Sequence, residues 1–353
     1  MTSDRLKGAK IVGSASAVPA VMDQEELWDG FFRAHYGDDP LARRLWAASG
    51  VRTRHGVVNP LCEDVSDWST GARMRRYSAE ALPLGKEAVG AALADAGLDA
   101  ADVGLFAVAS CTGYATPGVD ILLARDLGMS SGVQRLVVGH MGCYAAIPAL
   151  GAAADFVRAR RRPAVLLCLE LTSLHLQPAG PTATVDQVVS HALFSDAASA
   201  VVLMPEDAGP PGLELVNVIA CTDVATSDHM TWDVTDLGFR MGLSPRVPDV
   251  LARHARPVIS ELLAGEELSI AEVAGWAVHP GGPRILDVVA ATLELPTPAL
   301  MPSSAVLRDF GNCSSATVLL VLETLGQRSP DEAVVAMAFG PGLTLYAALF
   351  RQR

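Results

Sequence analysis

The chain repeats itself. Leu93-Ala-Asp-Ala-Gly-Leu-Asp-Ala-Ala-Asp-Val-Gly-Leu-Phe-Ala-Val108 runs parallel, without a gap, to Leu263-Ala-Gly-Glu-Glu-Leu-Ser-Ile-Ala-Glu-Val-Ala-Gly-Trp-Ala-Val278, at an offset of 170 residues. The same offset sets Cys143 against Cys313 and Gly142 against Asn312. Apolar strand patterns alternate with helical ones in both copies, which predicts stacked α/β layers built from two pseudo-equivalent halves. The turn-rich Pro205-Glu-Asp-Ala-Gly-Pro-Pro-Gly212 is the expected boundary, giving an N-terminal half over 1–208 and a C-terminal half over 209–353. Corresponding turns of such halves meet near their shared axis. Cys143, the turn at 279 and the turn at 312 are therefore expected to line one pocket.

The chemistry concentrates at those turns. In Val137-Val-Gly-His-Met-Gly-Cys-Tyr-Ala-Ala146 an apolar strand end passes through glycines to a cysteine and then an alanine-rich helix. A thiol at a helix N-terminus meets the positive end of the dipole, so a lowered pKa and a thiolate nucleophile are expected; a buried structural cysteine is the alternative. His279 ends the apolar strand Trp276-Ala-Val278 and precedes Pro280-Gly-Gly-Pro283, and Asn312 sits between Gly311 and Cys313. Alone, these are a turn histidine and a helix cap. Together with Cys143 they supply a thiolate, an imidazolium and an amide able to hold a thioester oxygen or an enolate. That set suits acyl transfer followed by decarboxylative carbon–carbon bond formation. Hydrolysis fits less well, because no third residue is evident to orient the histidine as base.

Composition narrows the setting. Half of the 353 residues are apolar and 19% are charged, which describes one large or two fused well-cored domains. A net charge of −12 without a basic tract disfavours nucleic acid as a partner. An anionic substrate then needs a local basic patch, and Arg52-Thr-Arg-His55 is a candidate anion-binding rim. The six cysteines show no CxxC spacing, so no metal is expected, and free thiols point to a reducing cytoplasm. The apolar Ile11-Val-Gly13 is too short for a signal peptide. Residues 136–154 are uncharged, yet their glycines, His140 and Pro148 favour a buried core segment over a membrane span. Helices are expected at 23–35, 40–49, 78–96 and 117–128, and strands at 103–110, 163–171 and 194–203, with 56–78 irregular and a polar loop at 177–186.

Four motifs, in order, resemble the type III polyketide synthases, the chalcone synthase-like family. They are Gly142-Cys143, Val278-His-Pro-Gly-Gly-Pro-Arg-Ile-Leu-Asp287, Gly311-Asn-Cys-Ser-Ser-Ala316 and Phe339-Gly-Pro-Gly-Leu-Thr344. The resemblance spans nearly the whole chain. It implies the thiolase fold, a five-layered αβαβα arrangement, in a homodimer. It implies Cys143 as acyl carrier, with His279 and Asn312 binding the malonyl thioester and stabilising its enolate. Acyl-CoA and malonyl-CoA would be the substrates, with no cofactor beyond the coenzyme A they carry and no membrane partner. Phe194 and Phe239 match the family's gatekeeper phenylalanines. Cys111, Thr112, His175, Met230, Leu237 and Ser314 fall where the family lines its elongation cavity, and Arg44 and Arg284 are candidates for coenzyme A contacts. Met230 replaces a small residue of the chalcone-forming enzymes, which argues against an aromatic plant-type starter. Thr116 stands where plant enzymes place a methionine that reaches into the partner's cavity. The rival readings are a ketosynthase III-like enzyme making one condensation, and a non-catalytic partner of another synthase. The first usually carries His-Gln-Ala-Asn where this chain has His279-Pro-Gly-Gly282, and the second has no need of Cys143, His279 and Asn312 together.

Overall fold

Strand order carries the repeat into three dimensions. The computed structural model describes residues 8–178, 184–326 and 328–353. Its main strands are β1 (Ala9–Ala17), β2 (Leu105–Ser110), β3 (Gln134–Gly139), β4 (Ala164–Glu170), β5 (Ala197–Pro205), β6 (Leu213–Thr222), β7 (Val273–Val278), β8 (Ala333–Gly340) and β9 (Thr344–Gln352). They form a 9-stranded sheet in the order β7-β8-β9-β6-β1-β5-β4-β2-β3. Outward from the centre, the N-terminal side runs β1-β5-β4-β2-β3 and the C-terminal side β6-β9-β8-β7. The pairing senses also match: β2 is parallel to β4 and β7 to β8, while β5 and β9 are antiparallel to both their neighbours. The halves join where β1 pairs with β6, at Lys10–Glu214 and Ile11–Leu213. The C-terminal side has no counterpart of β3 among the described residues; the helix Met301–Phe310 takes that stretch of chain.

The strand sequences explain the layers. Leu-Phe-Ala-Val-Ala-Ser in β2 and Ala-Val-Leu-Leu-Cys-Leu-Glu in β4 are continuous apolar runs, the pattern of strands covered on both faces. Phe106, Val108, Val165, Leu167 and Leu169 pack outward against the helix Thr70–Ala96. Leu105, Ala107, Ala109, Leu166 and Cys168 point into a central core. Val334, Ala336, Ala338, Ala348 and Phe350 of the other half enter the same core. Val335, Met337, Phe339, Ala347 and Leu349 face outward, against helices Val247–Ala264 and Pro283–Leu293. Between the two sheet portions lie helices Ala146–Arg160 and Thr317–Leu325, the first alanine-rich and the second apolar almost all round. A helix without a polar face is stable only when enclosed, and here both are sandwiched. The result is helix, sheet, helix pair, sheet, helix: the thiolase-like arrangement.

The segment 136–154 divides between β3, a turn and the first central helix. Among the described residues no helix is long and apolar enough to cross a membrane. Helices at Pro40–Ala47 and Val119–Asp126 fall within their expected ranges. The stretch 56–78 differs from expectation: a helix begins at Thr70, where the Ser69 side chain accepts from the Ala72 N–H. Its first two turns carry three arginines, Arg73, Arg75 and Arg76, which hide the apolar periodicity. Of the polar loop expected at 177–186, residues 179–183 lie outside the described residues, as does the start of the chain before Gly8. All six cysteines are free.

Ile147 is fully buried in the central layer, against both sheet portions. Ile147→Ala is expected to cost about 2–5 kcal/mol of stability by urea unfolding, from lost transfer energy plus the cavity left behind. A loss below about 1 kcal/mol would contradict this packing.

Candidate active site

Cys143 sits in the tight turn Gly142–Tyr144 that leads into the first central helix. Gly142 has φ +72°, a conformation that favours glycine, and a Cβ there would lie 2.6 Å from Pro341 Cδ. A Cβ on Gly340 would lie 3.0 Å from the Tyr144 ring and 3.3 Å from the Cys143 nitrogen. The Gly340-Pro-Gly342 loop therefore packs directly on the Cys143 turn. The Ser314–Ala316 turn of the other half packs against it as well.

His279 follows β7. Its N–H donates to the Met337 carbonyl (2.8 Å), its own carbonyl accepts from Gly281 (3.0 Å), and the Phe339 ring stands edge-on at 5.7 Å. It is fully buried, and neither ring nitrogen has a partner among the described residues. Asn312 donates its N–H to Leu193 (2.8 Å) and accepts from the Ser195 N–H (3.0 Å), which ties the turn to the Phe194 segment. Its Oδ1 accepts from the Ser314 N–H at 2.9 Å. The oxygen being occupied, the amide N–H groups are the donors that the side chain presents toward Cys143. Cys143, His279 and Asn312 line one cavity of about 720 Å³, with Phe194, Met230 and Phe339 among its walls.

Burial dominates the electrostatics. It pushes the Cys143 thiol up to about 12, while hydrogen bonds from Ser314 and Asn312 pull the other way. It pushes the His279 imidazole down to about 3. A helix N-terminus that by itself lowers the thiol pKa is thus not what this site shows: the cost of desolvating a lone charge exceeds the dipole's gain. Nor is a standing imidazolium on its own. A proton passed from sulfur to ring, however, makes a pair with no net charge, and such a pair escapes most of the penalty on each ion separately.

The other expected residues divide. Cys111, Thr112 and Ser314 border, with Cys143 and Phe194, a nearly filled space of about 20 Å³. Met230 lines the main cavity. Phe194 borders the main cavity, this small space and a pocket of about 70 Å³ behind them. Phe239 and His175 line that rear pocket and stack at 4.5 Å. His175 is spent on the backbone: Nε2 donates to the Thr112 carbonyl (2.7 Å) and Nδ1 accepts from the Phe239 N–H (3.0 Å). Burial holds it neutral, at about 4.

Two placements correct the expectation. Phe239 is not at the Cys143 cavity and Leu237 lines none of these spaces. Both lie toward the turn of the hairpin Met230–Thr235/Gly238–Leu243, whose inner face reaches Cys143 through Met241 and Leu243 instead. Leu237, at the turn, is 37% exposed. The expected anion rim is also absent: Arg52 pairs with Asp309, and Arg54 is buried over the Trp46 ring, donating to the carbonyls of His191 and Phe194. Arg54 holds the Phe194 segment. Arg284 is exposed at the main cavity, and Arg44 is exposed on the helix whose Leu45 and Ala48 line it.

Three residues escaped the sequence reading, and a fourth, Phe339, was seen only as part of a motif. Trp232 fills the small space and donates Nε1–H to the Cys111 carbonyl at 2.9 Å, Met241 faces it across the hairpin, and Phe339 walls His279. Glu170 is fully buried and accepts from Cys111 N–H (3.0 Å), Thr112 Oγ1 (2.8 Å) and Ser315 Oγ (2.5 Å). An acid ending an otherwise apolar strand was the available signal.

A fold of two repeated α/β halves with a cysteine, a histidine and an asparagine in one largely apolar cavity defines a thiolase-like condensing enzyme. A family model for chalcone and stilbene synthases, N-terminal domain, matches residues 3–207, and one for their C-terminal domain matches 218–352. The chain belongs to this family, the type III polyketide synthases, and is an acyltransferase. It is 35% identical to 1,3,6,8-tetrahydroxynaphthalene synthase of Streptomyces peucetius, over 98% of this chain and 93% of that one. It is 32% identical to "Alpha-pyrone synthesis polyketide synthase-like Pks18" of Mycobacterium tuberculosis, over 97% and 91%. Among solved structures, PKS-I of the brown alga Ectocarpus siliculosus matches with a TM-score of 0.91 at 26% identity, covering 100% of both chains. Tetrahydroxynaphthalene synthase of Streptomyces coelicolor matches at 0.90 and 30%, covering 98% of this chain and 99% of that one.

In His279→Ala the Cys143 thiol keeps its burial and its Ser314 and Asn312 hydrogen bonds but has no imidazole to take its proton. Alkylation of Cys143 by iodoacetamide near pH 7 should fall at least about tenfold and recover as pH rises toward the thiol's own pKa. Equal rates in variant and wild type would sink the pairing.

Proposed function

We propose that Cys143, His279 and Asn312 carry out decarboxylative condensation of malonyl-CoA, or a substituted malonyl-CoA, onto an acyl or malonyl starter. The carrying observation is the shared cavity: a buried thiol, an imidazole with both nitrogens unengaged, and an amide whose oxygen is already fixed by Ser314. Cys143, its proton taken by His279, attacks the starter thioester and coenzyme A leaves as the thiol. Malonyl-CoA then loses CO₂, and its carbonyl oxygen, now an enolate, accepts hydrogen bonds from His279 and the Asn312 amide. The enolate carbon attacks the Cys143 thioester, the lengthened chain passes to coenzyme A, and the cysteine is free again. The apolar walls from Phe194, Met230 and Phe339 favour loss of a carboxylate as neutral CO₂. The spaces behind Cys143 are small, which supports short extension and closure to an α-pyrone, a resorcinol or a related phenol, the product range to which the relatives' names belong.

Arg44 and Arg284, exposed beside the cavity, would take the coenzyme A phosphates. The halves divide at 208/209, as the turn-rich segment suggests. A homodimer is supported by β3, an edge strand with Val137 60% exposed, which can pair with its own copy across a two-fold axis. Free thiols throughout favour a cytoplasmic setting.

Pure protein incubated with malonyl-CoA and a panel of acyl-CoAs, short to long and aromatic, should yield pyrone or phenolic products. Asn312→Ala should slow CO₂ release from malonyl-CoA by about 10²–10³-fold while starter loading on Cys143 persists. Wild-type CO₂ release from that variant would remove Asn312 from the mechanism.

A further inference from the structure

A second cysteine, in the C-terminal half and outside the main cavity's walls, is set up as a nucleophile. Cys221, near the end of β6, has its Sγ 3.6 Å from His254 Nδ1. His254 Nε2 lies 3.0 Å from Asp223 Oδ2. His254 comes from helix Val247–Ala264, which packs against β6, and Asp223 follows β6 directly. Asp223 also caps the next turn, accepting from Ala225 N–H at 3.2 Å, so its position is fixed by the backbone. Its hydrogen bond from His254 holds its carboxyl below the usual range.

The order of contacts sets the direction of proton flow. Asp223 accepts the Nε2 proton, which leaves the Nδ1 lone pair facing the thiol. The thiol proton can then pass to Nδ1, and Asp223 steadies the imidazolium that results. A nucleophile beside a base, with the base oriented by a third group, is the geometry of an activated cysteine. Arg253, 3.5 Å from Asp223, is the other charged group at this cluster. Cys221 is partly exposed, as are His254 and Asp223, at 32% and 16% of their side chains. The enclosed space beneath, bordered by Val247, Leu251, Phe339 and Leu343, is only about 10 Å³, too small for an acyl chain. A reagent must therefore attach from the solvent side.

We propose that Cys221, His254 and Asp223 form a reactive-thiol site, separate from the condensing site, that takes up small disulfides by thiol–disulfide exchange. The Cys221 thiolate attacks one sulfur of the disulfide, a new S–S bond forms at Cys221, and the other half leaves as a thiolate that takes the proton from His254. No outside oxidant is required, since the small disulfide is itself reduced.

The chain carries its own reference, the exposed and unpaired Cys62. Wild-type protein would be treated at pH 7 with iodoacetamide, and separately with glutathione disulfide, and each cysteine peptide quantified by mass spectrometry. Cys221 should be alkylated about tenfold faster than Cys62, and the glutathione adduct should form there first. His254→Ala and Asp223→Asn should bring Cys221 down to the rate of Cys62 or below, with Cys62 unchanged. Continued protection of Cys168 and Cys313, both fully buried, shows that each variant is folded. Cys221 reacting no faster than Cys62 in the wild type, or equally fast in all three folded proteins, would overturn the assignment.

Discussion

Much of this structure hangs on one buried carboxylate. Glu170 ends β4, is fully enclosed, and has no cation against it among the described residues. Burial raises its pKa, and hydrogen bonds from Ser315, Cys111 and Thr112 hold it down. An acid without such donors would cost several kcal/mol in this layer. The donors come from two places, the residues just past β2 and the turn after Asn312 in the other half. Satisfying Glu170 therefore fixes the end of β2 against β4, and fixes both against the C-terminal turn. Cys111 Sγ then lies 3.3 Å from Ser314 Oγ, and Ser314 in turn fixes the Asn312 amide. The catalytic asparagine of our proposal is oriented by a chain of contacts that starts at an acid it never touches.

The same logic governs the surroundings of Cys143. Burial, with the Glu170 carboxylate adding to it, opposes a lone thiolate at Cys143, and burial opposes a lone imidazolium at His279. What the fold provides is pre-set geometry: the Gly340-Pro-Gly342 loop seated on the Gly142 turn, and Phe339 fixing the face of His279. Groups placed in advance need no reorganisation when charge develops on a thioester oxygen. Arg54, anchored over Trp46 and bonded to the Phe194 carbonyl, extends this rigidity to the wall between the main cavity and the space behind it.

Residues 93–108 and 263–278 made the two-half architecture readable, because a gapless repeat is a covalent record of symmetry. The fully apolar strands β2, β4 and β8 were readable for the same kind of reason: burial on two faces leaves no alternation to misread. The three residues of the proposed mechanism stood out as polar groups in glycine turns at strand ends. What sequence could not carry was direction. Phe239 and Met241 are two residues apart on one strand face, and only the docking of the hairpin decides that Met241 faces Cys143 while Phe239 stacks on His175. Arg54 read as part of an anion-binding rim because its actual partners are carbonyls, which leave no trace in composition. The expected lowering of the Cys143 pKa fails because the helix N-terminus is visible in a sequence and the depth of burial is not.

The most direct measurement is peptide-level mass spectrometry after a brief incubation with a starter acyl-CoA and acid quench. An acyl mass confined to the peptide holding Cys143, absent in Cys143→Ala, is the result this account predicts. Acyl groups on Cys111 or another residue with Cys143 unmodified, or full product formation by Cys143→Ala, would contradict it.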